Sequence, residues 1–192
     1  MKAIATFTWL CLVLSESAFS QATFVFRNWA PSLGVDAPVF DGDGNPLFGA
    51  NYVAVLYGGP TRDSLSIAQI GNFDMPPESF VYTPSSGEHG YFFRPDFVEI
   101  RNVACAGYAW LQVRAWDARL GSTYDEVAQL GLGGFGESDL FYARGGDGCS
   151  VTGLPPQQLI GLQSFSLVPE PSTWALLSLG AGFVLWRWRR SG

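Results

Sequence analysis

Along most of the chain, apolar and polar residues alternate in short runs cut by glycine and proline, with a period of two rather than 3.6. Residues 23–28 put Phe24 and Phe26 on one face of an opening strand. Residues 50–57 are apolar on both faces, with Val53, Val55 and Tyr57 on one and Tyr52, Ala54 and Leu56 on the other. That pattern predicts a central, buried strand. Residues 65–70 predict a short strand, and residues 91–94 and 97–101 predict two more, separated by Pro95-Asp96. The longest alternating run is residues 108–117. Ala109, Leu111, Val113 and Ala115 share the face predicted to enter the core, and Tyr108, Trp110, Gln112, Arg114 and Trp116 share the other. Residues 138–143 and 159–167 predict closing strands. One stretch in this region reads as a helix, residues 122–130, with Ser122 as N-cap, Asp125 and Glu126 in the first turn and Gly131 as the stop. Many short strands, Gly/Pro turns and one short helix predict a mainly β fold, an antiparallel β-sandwich.

The two ends break this pattern. Met1-Lys2, an apolar run over 4–14 and the small-x-small triplet Ala18-Phe19-Ser20 read as a signal peptide over 1–20, cut between Ser20 and Gln21. A cut after Ala22 is the second choice. The C-terminal end has three parts in fixed order: Val168-Pro169-Glu170-Pro171-Ser172, an uncharged segment over 172–186, and Arg187, Arg189 and Arg190. The two prolines fix φ, remove two backbone donors and make the preceding residues extended, giving a stiff spacer. The apolar segment predicts a transmembrane helix over about 173–188. About 15 helical residues reach roughly 22 Å, short of a ~30 Å hydrocarbon core, so it spans only with interfacial Trp, snorkelling Arg and some bilayer thinning. The arginines then stay cytoplasmic as membrane-stop charges. The organisation expected is therefore a signal peptide (1–20), a β-sandwich domain (21–167) and a tail (168–192).

This tail resembles the PEP-CTERM sorting signal of exported Gram-negative bacterial proteins, through Val168-Pro169-Glu170-Pro171-Ser172, the short apolar segment and the terminal arginines. The resemblance implies recognition of Pro169, Glu170 and Pro171 by an exosortase, a membrane-embedded Cys-dependent enzyme that cuts near them. The expected route runs through the Sec translocon and signal peptidase. It gives a precursor anchored in the inner membrane, then a product at the cell surface or outside the cell. Stretches of the body, among them residues 37–41, 52–57, 112–117, 121–125 and 162–167, look like segments of uncharacterised PEP-CTERM proteins. Because exosortase systems commonly accompany exopolysaccharide production, the resemblance also implies an association with exopolysaccharide.

Charge and cysteine usage narrow the body further. Residues 21–167 hold seven Arg, no Lys and 15 acidic residues, a net charge of about −8. An acidic domain does not bind nucleic acid through phosphate contacts. Cys11 leaves with the signal peptide, so Cys105 and Cys149 remain as an even pair in an exported chain, which predicts one disulfide. Two Cys and one distant His do not make a zinc ligand set, and no cofactor is expected.

Other chemistry is thinly signalled. Asp41, Asp43 and Asn45 have the opening spacing of a calcium loop, but Pro46 and Tyr52 stand where an EF-hand uses Gly and Glu, so a Gly-rich turn is the expectation. His89, the only histidine, is expected as an exposed loop residue without a nucleophile partner. Glu99, Asp117, Asp125 and Glu126 could supply a carboxylate pair for glycoside hydrolysis, as any acidic domain could. The Tyr108-Trp110-Trp116 face is either core or, if exposed, a platform for sugar rings. The sequence favours a non-catalytic structural or adhesive body over a secreted carbohydrate-active hydrolase.

Overall fold

Phe24 and Phe26 are both fully buried on the opening strand, as their spacing predicts. The computed structural model describes residues 21–148 and 153–169. Its strands are β1 (Gln21–Arg27), β2 (Trp29–Ala30), β3 (Val35–Asp36), β4 (Val39–Phe40), β5 (Gly49–Gly59), β6 (Ser66–Ile67), β7 (Gln69–Ile70), β8 (Phe73–Asp74), β9 (Glu78–Phe80) and β10 (Phe93–Ala104). They continue with β11 (Tyr108–Asp117), β12 (Phe135–Glu137), β13 (Phe141–Arg144), β14 (Gly146–Asp147) and β15 (Phe165–Ser166). The α-helix among the described residues is α1 (Tyr124–Leu130).

Two antiparallel sheets carry most of these strands. One has the order β14-β1-β10-β7-β8; the other has β12-β11-β5-β6, with β13 also on β11 and β9 on β5. One apolar core joins them, with Phe24, Phe26, Val98 and Ile100 from the first sheet and Leu56, Leu111, Val113 and Ala115 from the second. They approach closely at Gly58, where a Cβ would lie 2.7 Å from Ile100 Cδ1 and 2.8 Å from Leu111 Cδ2. A side chain there would force the sheets apart, which is the reason a glycine interrupts an otherwise apolar strand. The prediction for residues 108–117 holds in extent and in facing: Ala109, Leu111, Val113 and Ala115 are all fully buried.

Several elements differ from the sequence expectation. Residues 93–104 form one strand, not two separated by Pro95. The β1–β10 register slips between Val25 and Arg27, opposite Phe97 and Phe93, and Pro95 lies in that bulge, where no ladder hydrogen bond is required of it. Residues 65–70 are not one strand: Ser66–Ile67 pairs with β5 and Gln69–Ile70 with β10, so the chain changes sheets at buried Ala68. Of residues 138–143 only 141–143 are strand, within β13, while β12 (Phe135–Glu137) forms just before the predicted run; both pair with β11. The Ser138 hydroxyl accepts the Val113 N–H (3.0 Å) where the ladder is broken. Of residues 159–167 only Phe165–Ser166 is strand, and it runs parallel to β4 rather than antiparallel. In β5 Ala50 and Asn51 are exposed, Tyr52 and Val53 are half-buried, and the full burial predicted for residues 50–57 begins at Ala54. The helix starts one residue later than predicted. Thr123 is the N-cap, with its hydroxyl accepting the Glu126 N–H and the Glu126 carboxylate accepting the Thr123 N–H, while Gly131 ends the helix in the left-handed conformation.

Among the described residues no helix is long and apolar enough to cross a membrane. The predicted transmembrane segment, about 173–188, and the signal peptide, 1–20, lie outside the described residues.

Candidate functional site

The chain leaves the β-domain through a seat built from three segments. Phe165–Ser166 pairs with Val39–Phe40. The Leu167 N–H then donates to the Phe40 carbonyl (2.9 Å), and the Leu167 side chain is buried in the core. On the opposite side, the Val168 N–H donates to the Phe135 carbonyl (2.7 Å), and the Val168 carbonyl accepts the Gly134 N–H (2.9 Å). Two glycines make room for this strap. A Cβ on Gly136 would lie 2.6 Å from the Ser166 carbonyl oxygen, and a Cβ on Gly42 would lie 2.4 Å from Pro169 Cα. Beside the strap opens a hollow of about 400 Å³ whose lining includes Asp41, Asp43, Tyr52, Arg119, Val168 and Pro169.

Gly42 belongs to the turn suspected of binding calcium. The Asp41 carboxylate there accepts the backbone N–H of Asp43 (2.9 Å) and of Asn45 (2.8 Å), together with the Asn45 side-chain amide. Burial is the largest single influence and pushes this carboxyl up, but the hydrogen bonds from Asn45, Asp43 and Gly44 together outweigh it and hold the pKa below the ordinary value. These oxygens close a turn between β4 and β5, in line with the Gly-rich-turn expectation.

Of the residues the sequence singles out for sorting and processing, Gln21 and Pro169 are described. Gln21, the first described residue, lies in β1 opposite Ala104. Ser20, Glu170, Pro171, Arg187, Arg189 and Arg190 lie outside the described residues. So does Cys149. Cys105 is half-buried in the turn between β10 and β11 and is engaged rather than free.

The four carboxylates considered for hydrolysis are dispersed in role. Glu99 is on β10 in one sheet, whereas Asp117, Asp125 and Glu126 belong to β11 and α1 on the other side of the core. Asp117 is buried and bound by Arg119 through its backbone N–H and guanidinium. Glu126 closes the N-terminus of α1 with Ser122 and Thr123, and Asp125 lies 3.9 Å from Arg114. His89 is exposed in its loop and packs against Phe48 in a tilted arrangement, 4.1 Å between ring centroids.

The aromatic face of β11 is neither all core nor all platform. At its C-terminal end α1 lies over it: Trp116 is 2% exposed, donates its indole N–H to the Gly121 carbonyl (3.1 Å) and meets Tyr124 edge to face. Arg114 stacks over Tyr57 (4.2 Å) and Tyr124 (5.1 Å) beside Glu137, and burial, with the Glu137 charge, pushes the Tyr124 hydroxyl up to about 12. At the other end no helix intervenes among the described residues. Tyr108 and Tyr142 are each 54% exposed and stack at 5.2 Å, and half-buried Trp110 carries the Arg62 guanidinium 4.1 Å above its ring. Tyr142 and Arg62 escaped the sequence reading. Alternation within 138–143 hinted at Tyr142, but only the pairing Trp110↔Tyr142 brings it to β11, and nothing local signals Arg62.

Residues 167–190 match the family described as the PEP-CTERM protein-sorting motif. The match begins at Leu167, inside the strap, and does not extend into the rest of the body. No curated protein and no solved structure matches the chain. The motif implies an exported, surface-directed protein with an exosortase as its processing partner.

Proposed function

We propose that the chain is made as an inner-membrane-anchored precursor and becomes a cell-envelope or extracellular protein with a non-catalytic structural or adhesive body. The Sec translocon and signal peptidase remove residues 1–20 at Ser20–Gln21. The apolar segment at about 173–188 holds the tail in the membrane, with Arg187, Arg189 and Arg190 on the cytoplasmic side. The exosortase recognises Pro169, Glu170 and Pro171. The observation that carries this reading is the position of the matched motif: it starts where the chain emerges from the β-domain, so removing the tail leaves both sheets intact. We read the two sheets around one core as a β-sandwich akin to the bodies of other PEP-CTERM proteins.

A disulfide between Cys105 and Cys149 fits the local geometry. Ala106 N–H donates to the Gly146 carbonyl (3.0 Å), and Gly145 N–H donates to Gly107 (2.7 Å), which brings the segment just before Cys149 against the Cys105 turn. For the adhesive role, exopolysaccharide is the proposed partner. Support comes from the N-terminal end of β11, where exposed Tyr108 and Tyr142 stack on each other next to half-buried Trp110, which carries the Arg62 guanidinium over its ring, an aromatic surface suited to contacting sugars.

The test compares wild type with two variants in the native host by fractionation and product size. Replacing Pro169, Glu170 and Pro171 with alanine should leave insertion intact and the chain uncut. Deleting everything after Ser172 should release an untrimmed, soluble product. If the triple-alanine chain is trimmed and delivered like wild type, the tripeptide is not the recognition element and the tail is only an anchor.

A further inference from the structure

The geometry points to the β-domain itself as the positioning element for the sorting motif, with Gly42 as the seat of Pro169. The inference rests on the exosortase reading above and concerns how this body presents the motif. Leu167, Val168 and Pro169, the first three residues of the matched segment, are part of the fold. Leu167 is a core side chain, and both backbone polar groups of Val168 are already paired with Gly134 and Phe135. An enzyme that binds an extended peptide through its backbone therefore finds no free partner at Val168. Pro169 has no N–H to offer, so the first backbone donor beyond the seat is that of Glu170.

The seat also sets direction and distance. Val168 precedes a proline and is held extended by its two hydrogen bonds, and Pro169 lies against Gly42 with no room for a Cβ between them. Only Glu170, Pro171, Ser172 and Thr173 separate Pro169 from Trp174, where the long apolar residues begin. Even fully extended, that stretch reaches about 17 Å. The body is thus tied close to the membrane, and the site at which the chain leaves it decides where the Pro-Glu-Pro meets a membrane-embedded enzyme. A pre-set exit lowers the ordering that the enzyme must impose on the peptide. Gly42 and the strap act through Pro169, so they are positioning residues, not catalytic ones.

Gly42 allows a clean test. It is exposed, lies outside the left-handed backbone region, and the three atoms nearest to a Cβ placed there all belong to Pro169. Gly42→Ala should push Pro169 off its seat while the β-domain melts at the wild-type temperature. A second full-length variant, with six Gly/Ser residues inserted between Val168 and Pro169, leaves the strap paired and detaches Pro169 by a different route. In the native host, pulse-chase labelling should show trimming slowed by about tenfold in both, within the roughly hundredfold loss that misplacing a reacting segment by an ångström can cause. A drop in melting temperature of Gly42→Ala equal to that of an unstrapped chain truncated after Ser164 would assign Gly42 to fold stability and overturn the proposal. Trimming of both variants at the wild-type rate, or faster, would also overturn it, since the seat would then be neutral or shielding. The triple-alanine chain serves as the control. If it stays uncut while both seat variants are trimmed normally, only this proposal fails; if it is trimmed, the exosortase reading fails and takes this proposal with it.

Discussion

Glu99 stands on β10 between Val98 and Ile100, whose side chains enter the core, so its own carboxylate lies on the outer face in a partly buried position. Burial raises its pKa above the ordinary glutamate value. A carboxyl whose folded pKa is raised binds its proton more tightly in the native state. It therefore weakens the fold as pH rises through the window above its unfolded pKa, about 4.3. Glu99→Gln should accordingly raise the melting temperature at pH 7, and the gain should vanish as pH falls through that window. A gain of equal size at pH 3 and pH 7 would refute a titration origin. Asp117 has the opposite sign. Burial pushes it up, but the Arg119 hydrogen bonds and charge outweigh this and hold it below the ordinary value. Its contribution is complete at neutral pH and is lost as pH falls through the depressed folded value. The two carboxylates, both once candidates for hydrolysis, thus differ by environment rather than by sequence.

At the scale of the element, β11 is the strand that joins the parts. It pairs with β5 along Tyr52–Gly59, with β12 at its C-terminal half and with β13 at its N-terminal half. Its core face packs at the meeting point of the two sheets, where Leu111 Cδ2 reaches the space beside Gly58. Leu111→Ala should cost about 2–5 kcal/mol in denaturant unfolding, through lost burial and the cavity left behind. A loss of only a few tenths of a kcal/mol, typical of surface positions, would contradict the burial of that face. Helix α1 is ordered by different means. Its capping box fixes the first turn, and Tyr124 and Val127 anchor it to the sheet. It lies over Trp116 and leaves Trp110 at the opening edge of the exposed aromatic cluster.

At the scale of the whole molecule, both ends of the β-domain are tied in. β1 begins at Gln21, and β15 with Leu167 and Val168 closes the core against β4 and the start of β12. The proposed Cys105–Cys149 bridge would close an intermediate loop of 43 residues across the two sheets. A loop of that length corresponds to about 4 kcal/mol in the chain-entropy model. Cys105→Ser should lower stability by up to this amount in non-reducing conditions and by little in reductant. Non-reducing mass spectrometry of the exported wild type should find one linked peptide pair; two freely alkylated thiols would reject the bridge.

What the sequence by itself determined was whatever is written in local pattern or in a short linear motif. Period-two alternation fixed the facing of residues 108–117 and of Phe24 and Phe26, because a strand's side chains obey that period wherever the strand is placed. The tail was legible for a similar reason: a sorting signal is read as a linear segment, and its order of parts survives without a fold. Tertiary structure decided the rest. Whether Pro95 breaks a strand depends on a bulge against a partner some seventy residues away in sequence. Whether residues 65–70 make one strand or two depends on which sheet each half finds. Trp116 and Tyr108 share one face of one strand, yet one is buried and the other exposed, because α1 and the turn before it cover the Trp116 end. The seat of Pro169 was invisible for the same reason, since Gly42 and Pro169 meet only after β4 and β15 have paired.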